Sequence, residues 1–312
     1  NGSASRLADF LWIVGHFDAT LRGCLVSLRL RCQFPADYSG WISSMSFSIA
    51  TWNINSVRLR MPLIEQFLAS HQPDVLCLQE TKCTDDLFPY KAFRKAGYEH
   101  IVVSGQKGYH GVATVARRPI EPVERRRFCD NDDCRHLSVK VKAGDRSIIL
   151  HNFYVPAGGD EPDPVINPKF RHKLDFVAEM HNVPAEEGEN LSSVLVGDLN
   201  IAPLEHDVWS HKQLLKIVSH TPIETTSFEA MRRAGNWVDL MRQIVPPEEK
   251  LYTWWSYRAK DWEISNRGRR LDHIWSSPNL SPSLQDIEIL RDARGWERPS
   301  DHVPVIAKFD LD

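Results

Sequence analysis

Four segments of this chain close an apolar run with carboxylates or carboxamides: TWNIN (51–55), LQETK (78–82), GDLN (197–200) and SDHVPV (300–305). Groups of this kind, set together, hold a hard cation through oxygen, take a proton on a carboxylate and return one from an imidazole. Asp198 and Asn200 are two residues apart, so on an extended strand end both side chains point the same way. His302 follows Asp301 directly. Once protonated, His302 could donate to an anionic oxygen, and a carboxylate on its other nitrogen would raise its pKa and fix its tautomer. Taken singly each segment is weak, because a lone Asp-x-Asn is commonly a turn or a helix cap. The signal is the four together, each at the end of an apolar run, where a rigid scaffold can fix reactive groups.

The elements that must carry these groups alternate along the chain. Phe47–Trp52 reads as a strand, and Leu59, Leu63, Ile64, Phe67 and Leu68 recur at helical spacing. Strands are expected at Asp74–Glu80, Gly111–Arg117, Leu137–Lys142, Ser147–Tyr154 and Ser193–Gly197, and later at Leu251–Tyr257, Arg270–Ser276, Leu284–Leu290 and Val303–Phe309. Helices are expected over Pro168–His181, with Phe170, Leu174, Phe176 and Val177 on the apolar face, and over Thr225–Ala234. Many short strands with helices between them predict an α/β fold, a four-layer α/β sandwich of two sheets with helices outside. The 312 residues are 42% hydrophobic and 25% charged, which excludes disordered and fibrous classes. No run of 18 or more uncharged apolar residues suggests a membrane span. A net charge of −3 excludes a wholly basic nucleic-acid coat and leaves room for a local basic face. The six Cys lack zinc-site spacing and read as free thiols. Residues 1–44 carry neither a secretory nor a mitochondrial pattern and read as a non-catalytic leader, with one catalytic domain over 45–312. No GxxxxGK[ST] loop is present, which argues against nucleoside-triphosphate hydrolysis.

In order, the motifs ATWNINSVRLR, PDVLCLQETK, KGYHGVA, HNFYVPAG, VGDLNIAP, YTWWSYR, RGRRLDHI and PSDHVPV resemble the exonuclease III family of apurinic/apyrimidinic endonucleases, bacterial type, within the endonuclease/exonuclease/phosphatase superfamily. The resemblance runs through 46–312. It implies a DNase I-like fold of two mainly antiparallel sheets and phosphodiester hydrolysis in duplex DNA. It further implies cutting 5′ to abasic sites and removal of 3′ nucleotides or 3′ blocking groups. Such hydrolysis needs a cation, a base for water and donors on the phosphate. With hard oxygen donors and no competing His/Cys cluster, Mg²⁺ is expected, with Mn²⁺ as a substitute. By resemblance Glu80 is the principal metal ligand, with Asn53 and Asp301 beside it, and Asn55 stands near the metal and its waters. Asp198 and Asn200 join the metal residues if a second metal position is used. Asp198 would orient or deprotonate the water, Asn200 hold it and the phosphate, Asp272 orient His302, and Tyr154 place its hydroxyl on the phosphate.

A backbone groove is expected along Arg58, Arg60, Lys82, Lys107, Lys212 and the Arg267, Arg269, Arg270 cluster. Asn55, Arg58, Lys82, Lys107, Lys212, Trp254 and Arg269 are the DNA-binding candidates. Trp254 is expected at the abasic-sugar pocket and its neighbour Trp255 in the core, since adjacent strand residues face opposite ways. The expected partner is double-stranded DNA, abasic or nicked, acted on by a cytoplasmic, nucleoid-associated monomer with no membrane role. Two other readings stand beside this one: a superfamily phosphatase or phosphodiesterase acting on a non-DNA phosphate ester, and a catalytically inactive DNA-binding protein.

Overall fold

Along β1 (Ser46–Asn53), Phe47, Ile49 and Thr51 fall on one face, Ala50 and Trp52 on the other, and both faces are buried. A strand buried on both faces needs a layer on each side. The computed structural model, which describes residues 46–311, supplies both layers. The leader expected over 1–44 lies outside the described residues.

After β1 come β2 (Val75–Gln79), β3 (His100–Ser104), β4 (Val112–Ala116), β5 (Ile120–Glu124), β6 (His136–Ala143), β7 (Arg146–Tyr154), β8 (Leu191–Asp198) and β9 (Val238–Asp239). The short ribbon β10 (Trp254–Trp255) and β11 (Gly268–Arg269) follows, then β12 (Asp272–Ser276), β13 (Leu284–Ile289) and β14 (Val305–Asp310). One sheet has the order β13-β14-β1-β2-β4-β3, the other β5-β6-β7-β8-β12-β9. Each is antiparallel except for one parallel pair, β1 with β2 and β7 with β8. The expected pair of mainly antiparallel sheets is therefore present.

Between the sheets lies the main core, with Phe47, Ile49, Val75 and Cys77 facing Leu150, Val194, Val196 and Ile274. On the outer face of the first sheet, Ala50, Trp52, Leu76 and Leu78 pack on α1 (Met61–His71) and on Phe93 of α2 (Tyr90–Lys95). On the outer face of the second, Phe153, Leu195 and Trp275 pack on α3 (Pro168–Met180) and, beyond the short α4 (His211–Leu214), on α5 (Pro222–Ala234). The four layers follow from strict period-two alternation of apolar side chains. Among the described residues no helix is long and apolar enough to cross a membrane, and Cys77, Cys83, Cys129 and Cys134 are free thiols.

Some expectations shift. Leu59 precedes α1 and is 57% exposed, because Pro62 in the first turn sets the helix start after it. Only Trp254–Trp255 of the expected Leu251–Tyr257 strand is extended in a ladder. The second helix starts three residues earlier than expected, at Pro222, where Thr221 and Glu224 form a capping box.

Candidate active site

The alternation that builds the core also builds the site. On the inner faces of the sheets the apolar series Ile49, Leu150, Val196 and Ile274 gives way at one end to Asn53, Tyr154, Asp198 and Asp272. Asn53 and Asp198 end strands of the two parallel pairs, and Asp272 opens β12 directly opposite Asp198. Gly197 allows this approach, for a Cβ there would lie 1.9 Å from the carbonyl oxygen of Phe153. Glu80 follows β2 on a left-handed backbone (φ 49°), which takes its carboxylate out of the strand alternation; Lys82, Asn55 and Asn200 share that conformation. Asn tolerates it readily, whereas for Glu and Lys it costs about 1–3 kcal/mol each.

A single carboxamide ties the halves together. Asn53 Nδ2 donates to Glu80 Oε1 at 2.9 Å and to Asp198 Oδ2 at 2.8 Å, while Asn53 Oδ1 accepts from the Asn55 N–H at 3.0 Å. Asn53, expected as an oxygen ligand, thus presents its nitrogen to both carboxylates. Asn200 donates to Asp198 through its backbone N–H (3.0 Å) and its Nδ2 (3.1 Å). The Tyr154 hydroxyl donates to Glu80 Oε1 at 2.9 Å.

His302 lies between two carboxylates, with Nδ1 at 2.8 Å from Asp272 Oδ2 and Nε2 at 3.6 Å from Asp198 Oδ2. Thr253 Oγ1 donates to the same Asp272 oxygen at 2.6 Å, while Asp272 Oδ1 is buried without a partner. Burial works against a charged imidazole, yet Asp272 and Asp198 together raise His302 to about 10. Burial, aided by Asp272 and Glu80, pushes Asp198 up to about 7 against the pull of His302 and Asn53. The trio can keep its proton on His302 and leave Asp198 as a carboxylate poised near neutral pH. Burial and the neighbouring Glu80 and Asp198 hold Tyr154 well above the ordinary phenol range, so it is a donor.

Burial would raise Glu80, but Lys82 and Asn53 outweigh it and hold the carboxyl below its usual range. Burial would raise Asp301 as well, but His302, the Trp254 N–H and Asn55 hold it down. Asn55 spans the gap between these two anions: its Nδ2 donates to Asp301 Oδ1 at 3.1 Å, and its Oδ1 accepts from Lys82 Nζ at 2.6 Å. Lys82 also sits 2.8 Å from Glu80 Oε2. Two ionised carboxylates and an amide oxygen fit a hard divalent cation, and Glu80, Asp301 and Asn55 are the residues that would hold it. Asp198, Asp272 and His302 also offer ligand atoms within 4.8 Å of one another. In that trio, however, His302 Nδ1 and Asp272 Oδ2 are engaged with each other.

The site floors a cleft of about 860 Å³ whose walls include Trp209, Trp254, Arg258, Arg267 and Arg269. Trp254 lines the cleft and donates from Nε1 to Asp301 Oδ2 at 2.9 Å; Trp255 is 2% exposed and packs on Tyr252 and Trp262. The basic candidates separate. Lys82 is turned into the site. Arg58, Lys107 and Lys212 are exposed and outside the residues that line the cleft. Arg60 is buried and bonds Tyr257 Oη and the carbonyl of Arg298, so it is a packing residue and no groove residue. Arg270 is fully buried against Asp207 and Asp239.

Sequence reasoning missed Trp209, which the VWSHK segment gave no reason to single out, and Lys173. Lys173 is fully buried in α3 and donates to Asn200 O at 2.8 Å, to Ala157 O at 3.3 Å and to Glu224 Oε1 at 2.5 Å. Glu224 in turn accepts the Ser219 and Thr221 N–H groups. One buried ion pair therefore joins the Asn200 strand end to the loop that walls the cleft.

The chain is 31% identical over 268 residues to the exodeoxyribonuclease III of Haemophilus influenzae, covering 83% of this chain and 98% of that protein. Its fold is similar to that of an AP endonuclease from Archaeoglobus fulgidus (TM-score 0.76, 31% identity, 85% of this chain and 100% of that one). It is likewise similar to a 3′–5′ exonuclease from Neisseria meningitidis (TM-score 0.73, 32% identity, with the same shares covered). The residue pattern that matches 50–302 takes in TWNIN, LQETK and GDLN and reaches the Asp301–His302 pair of the fourth segment, and by it the chain belongs to the Endonuclease/Exonuclease/phosphatase family.

Proposed function

We propose that the protein is a Mg²⁺-dependent DNA repair nuclease, with Mn²⁺ as a substitute, that hydrolyses phosphodiesters of duplex DNA. It cuts 5′ to abasic sites to leave a 3′-hydroxyl, and removes 3′ nucleotides or 3′ blocking groups, acting as a monomer on abasic or nicked duplexes. The observation that carries this reading is the Asp198–His302–Asp272 relay set beside the ionised Glu80 and Asp301 at the floor of a cleft walled by Trp254. Asp198, fixed by Asn53 and Asn200, takes the proton of the attacking water. His302, held by Asp272, donates to a phosphate oxygen on which charge grows, and Tyr154 does so once its single O–H turns from Glu80 to the phosphate. Glu80, Asp301 and Asn55 would hold a cation that would supply further neutralisation of that charge. Trp254 offers a flat apolar wall that accepts a sugar lacking its base.

The test is incubation of the purified protein with a duplex carrying one abasic site, with Mg²⁺ and with Mg²⁺ plus excess chelator, beside Glu80→Ala. The expected result is a single cut 5′ to the lesion that both the chelator and Glu80→Ala abolish. Cleavage insensitive to the chelator would overturn the metal assignment. An intact duplex alongside phosphate release from a small ester would favour the phosphatase reading instead.

A further inference from the structure

Three arginines sit within four residues, at 267, 269 and 270, and the fold gives each a different fate. Arg270 is enclosed by Asp207 and Asp239 at 2.7–2.9 Å and has no access to a ligand. Arg269 lies over the Trp254 ring at 5.2 Å, and its Nη1 is spent on Val218 O (3.0 Å) and Ser219 Oγ (2.8 Å). Arg267 lies over Trp209 at 4.7 Å, and among the described residues its guanidinium makes no hydrogen bond or ion pair. Both Arg267 and Trp209 line the catalytic cleft. Asp160 lines it too, without pairing with Arg267.

The platform under Arg267 is fixed. The Trp209 N–H donates to Gly268 O at 3.1 Å, and the ring packs on Val208, Leu214 and Leu271. An arginine held over an aromatic ring by cation–π attraction leaves its N–H fork free for other acceptors, and that fork matches a phosphate. Because the guanidinium covers the indole face, a nucleobase cannot stack there without displacing it. What the subsite offers is therefore charge and donors. Arg267 precedes β11 and lines the same cleft as Arg269 and the Trp254 wall.

We propose that Arg267, carried on Trp209, is a subsite for a backbone phosphodiester flanking the scissile one, an inference that rests on the DNA reading above. The test is equilibrium binding to a duplex with a tetrahydrofuran abasic analogue, in chelator to prevent cleavage, over 50–200 mM salt. Arg267→Ala, at an exposed position, should melt as the wild type does, and its log-affinity against log-salt slope should be shallower by about 0.9. The wild-type advantage should then shrink about 3.5-fold across that range. Arg267→Lys should keep the slope and lose affinity. In a scan of single methylphosphonates, one neutralised phosphate should weaken the wild type and leave Arg267→Ala unaffected. An unaltered slope in Arg267→Ala, or a scan in which every position weakens both proteins alike, would overturn the subsite alone. Failure of the wild type to bind the duplex would overturn the DNA reading and the subsite with it.

Discussion

Trp254 does two jobs that substitution can separate. Its face walls the cleft, and its N–H donates to Asp301 at 2.9 Å. Trp254→Phe keeps the first and removes the second. A hydrogen bond to a charged group is worth about 1.5–3 kcal/mol, and Asp301 is partly open to water, so the lower end applies. That loss lets the Asp301 carboxyl rise. The rise is upward because the N–H is one of the groups that now hold it down. Asp198, at about 7, sets the acid limb of kcat/KM for abasic-site cleavage, well above Asp301, so that limb should stay in place and Trp254→Phe should keep most of the rate. Trp254→Ala removes the wall as well, and loss of a stacking aromatic costs about 1–3 kcal/mol, or roughly 5- to 150-fold in rate. The control is Trp255→Ala, which empties a buried indole site and should cost about 3–5 kcal/mol of stability. The assays are pH–rate profiles and thermal melts on the three variants. Equal rate losses for Phe and Ala, a displaced acid limb in Trp254→Phe, or a larger melting loss at position 254 than at 255, would refute the assignment of these roles.

Asp198→Asn keeps the shape of the site and removes the proton acceptor. Single-turnover cleavage should fall by at least about 10²–10³, and a loss under about tenfold would exclude Asp198 as the base. The buried His136–His151 pair, with His136 Nε2 and His151 Nδ1 3.1 Å apart, predicts an acid weakness away from the site. Burial holds His136 well below the ordinary imidazole range and His151 down at about 4, so as pH falls the unfolded chain takes up protons first. The stability they contribute is complete above about 6.5 and is lost between there and about 4. The urea midpoint should drop over that window, and less so in His151→Asn, which still accepts from His136 but does not titrate. A chain starting at Met45 keeps every site residue and should retain wild-type cleavage and melting, which a marked fall in either would contradict.

Where a property follows from short-range alternation, it was legible in the sequence. The inward series that ends in Asn53, Tyr154, Asp198 and Asp272 can be counted off the strands, and so can the opposite facing of Trp254 and Trp255. What was hidden depends on partners distant along the chain. Lys173 sits in a helix whose apolar face was read from Phe170, Leu174, Phe176 and Val177, yet Lys173 is the residue buried there and Leu174 is only half-buried. Its burial is made possible by Glu224, 51 residues away. The three neighbouring arginines look alike as text, and only Asp207, Trp254 and Trp209 distinguish them. The strand β5 was missed because it is an edge strand, largely exposed and holding Pro122, and so lacks an apolar pattern.

The Asn53 carboxamide reaches from one sheet to a carboxylate on the other, and deeper in the same seam Gln79 Nε2 donates across the gap to Asn152 Oδ1 at 2.8 Å. Asn152 Nδ2 donates back across the same gap to Leu78 O at 3.2 Å and to Ala113 O at 3.0 Å, and around these contacts the seam is mostly hydrocarbon, which resists separation but has little directional resistance to sliding. These amide contacts act as dowels at one end of a greased joint. A slip of about 1 Å between the sheets would leave the core buried and the circular dichroism unchanged, yet would carry the Asn53 nitrogen out of hydrogen-bond reach of one of its two carboxylates. Catalysis in this molecule is therefore a gauge of sheet alignment, finer than any measure of how much of the chain is folded.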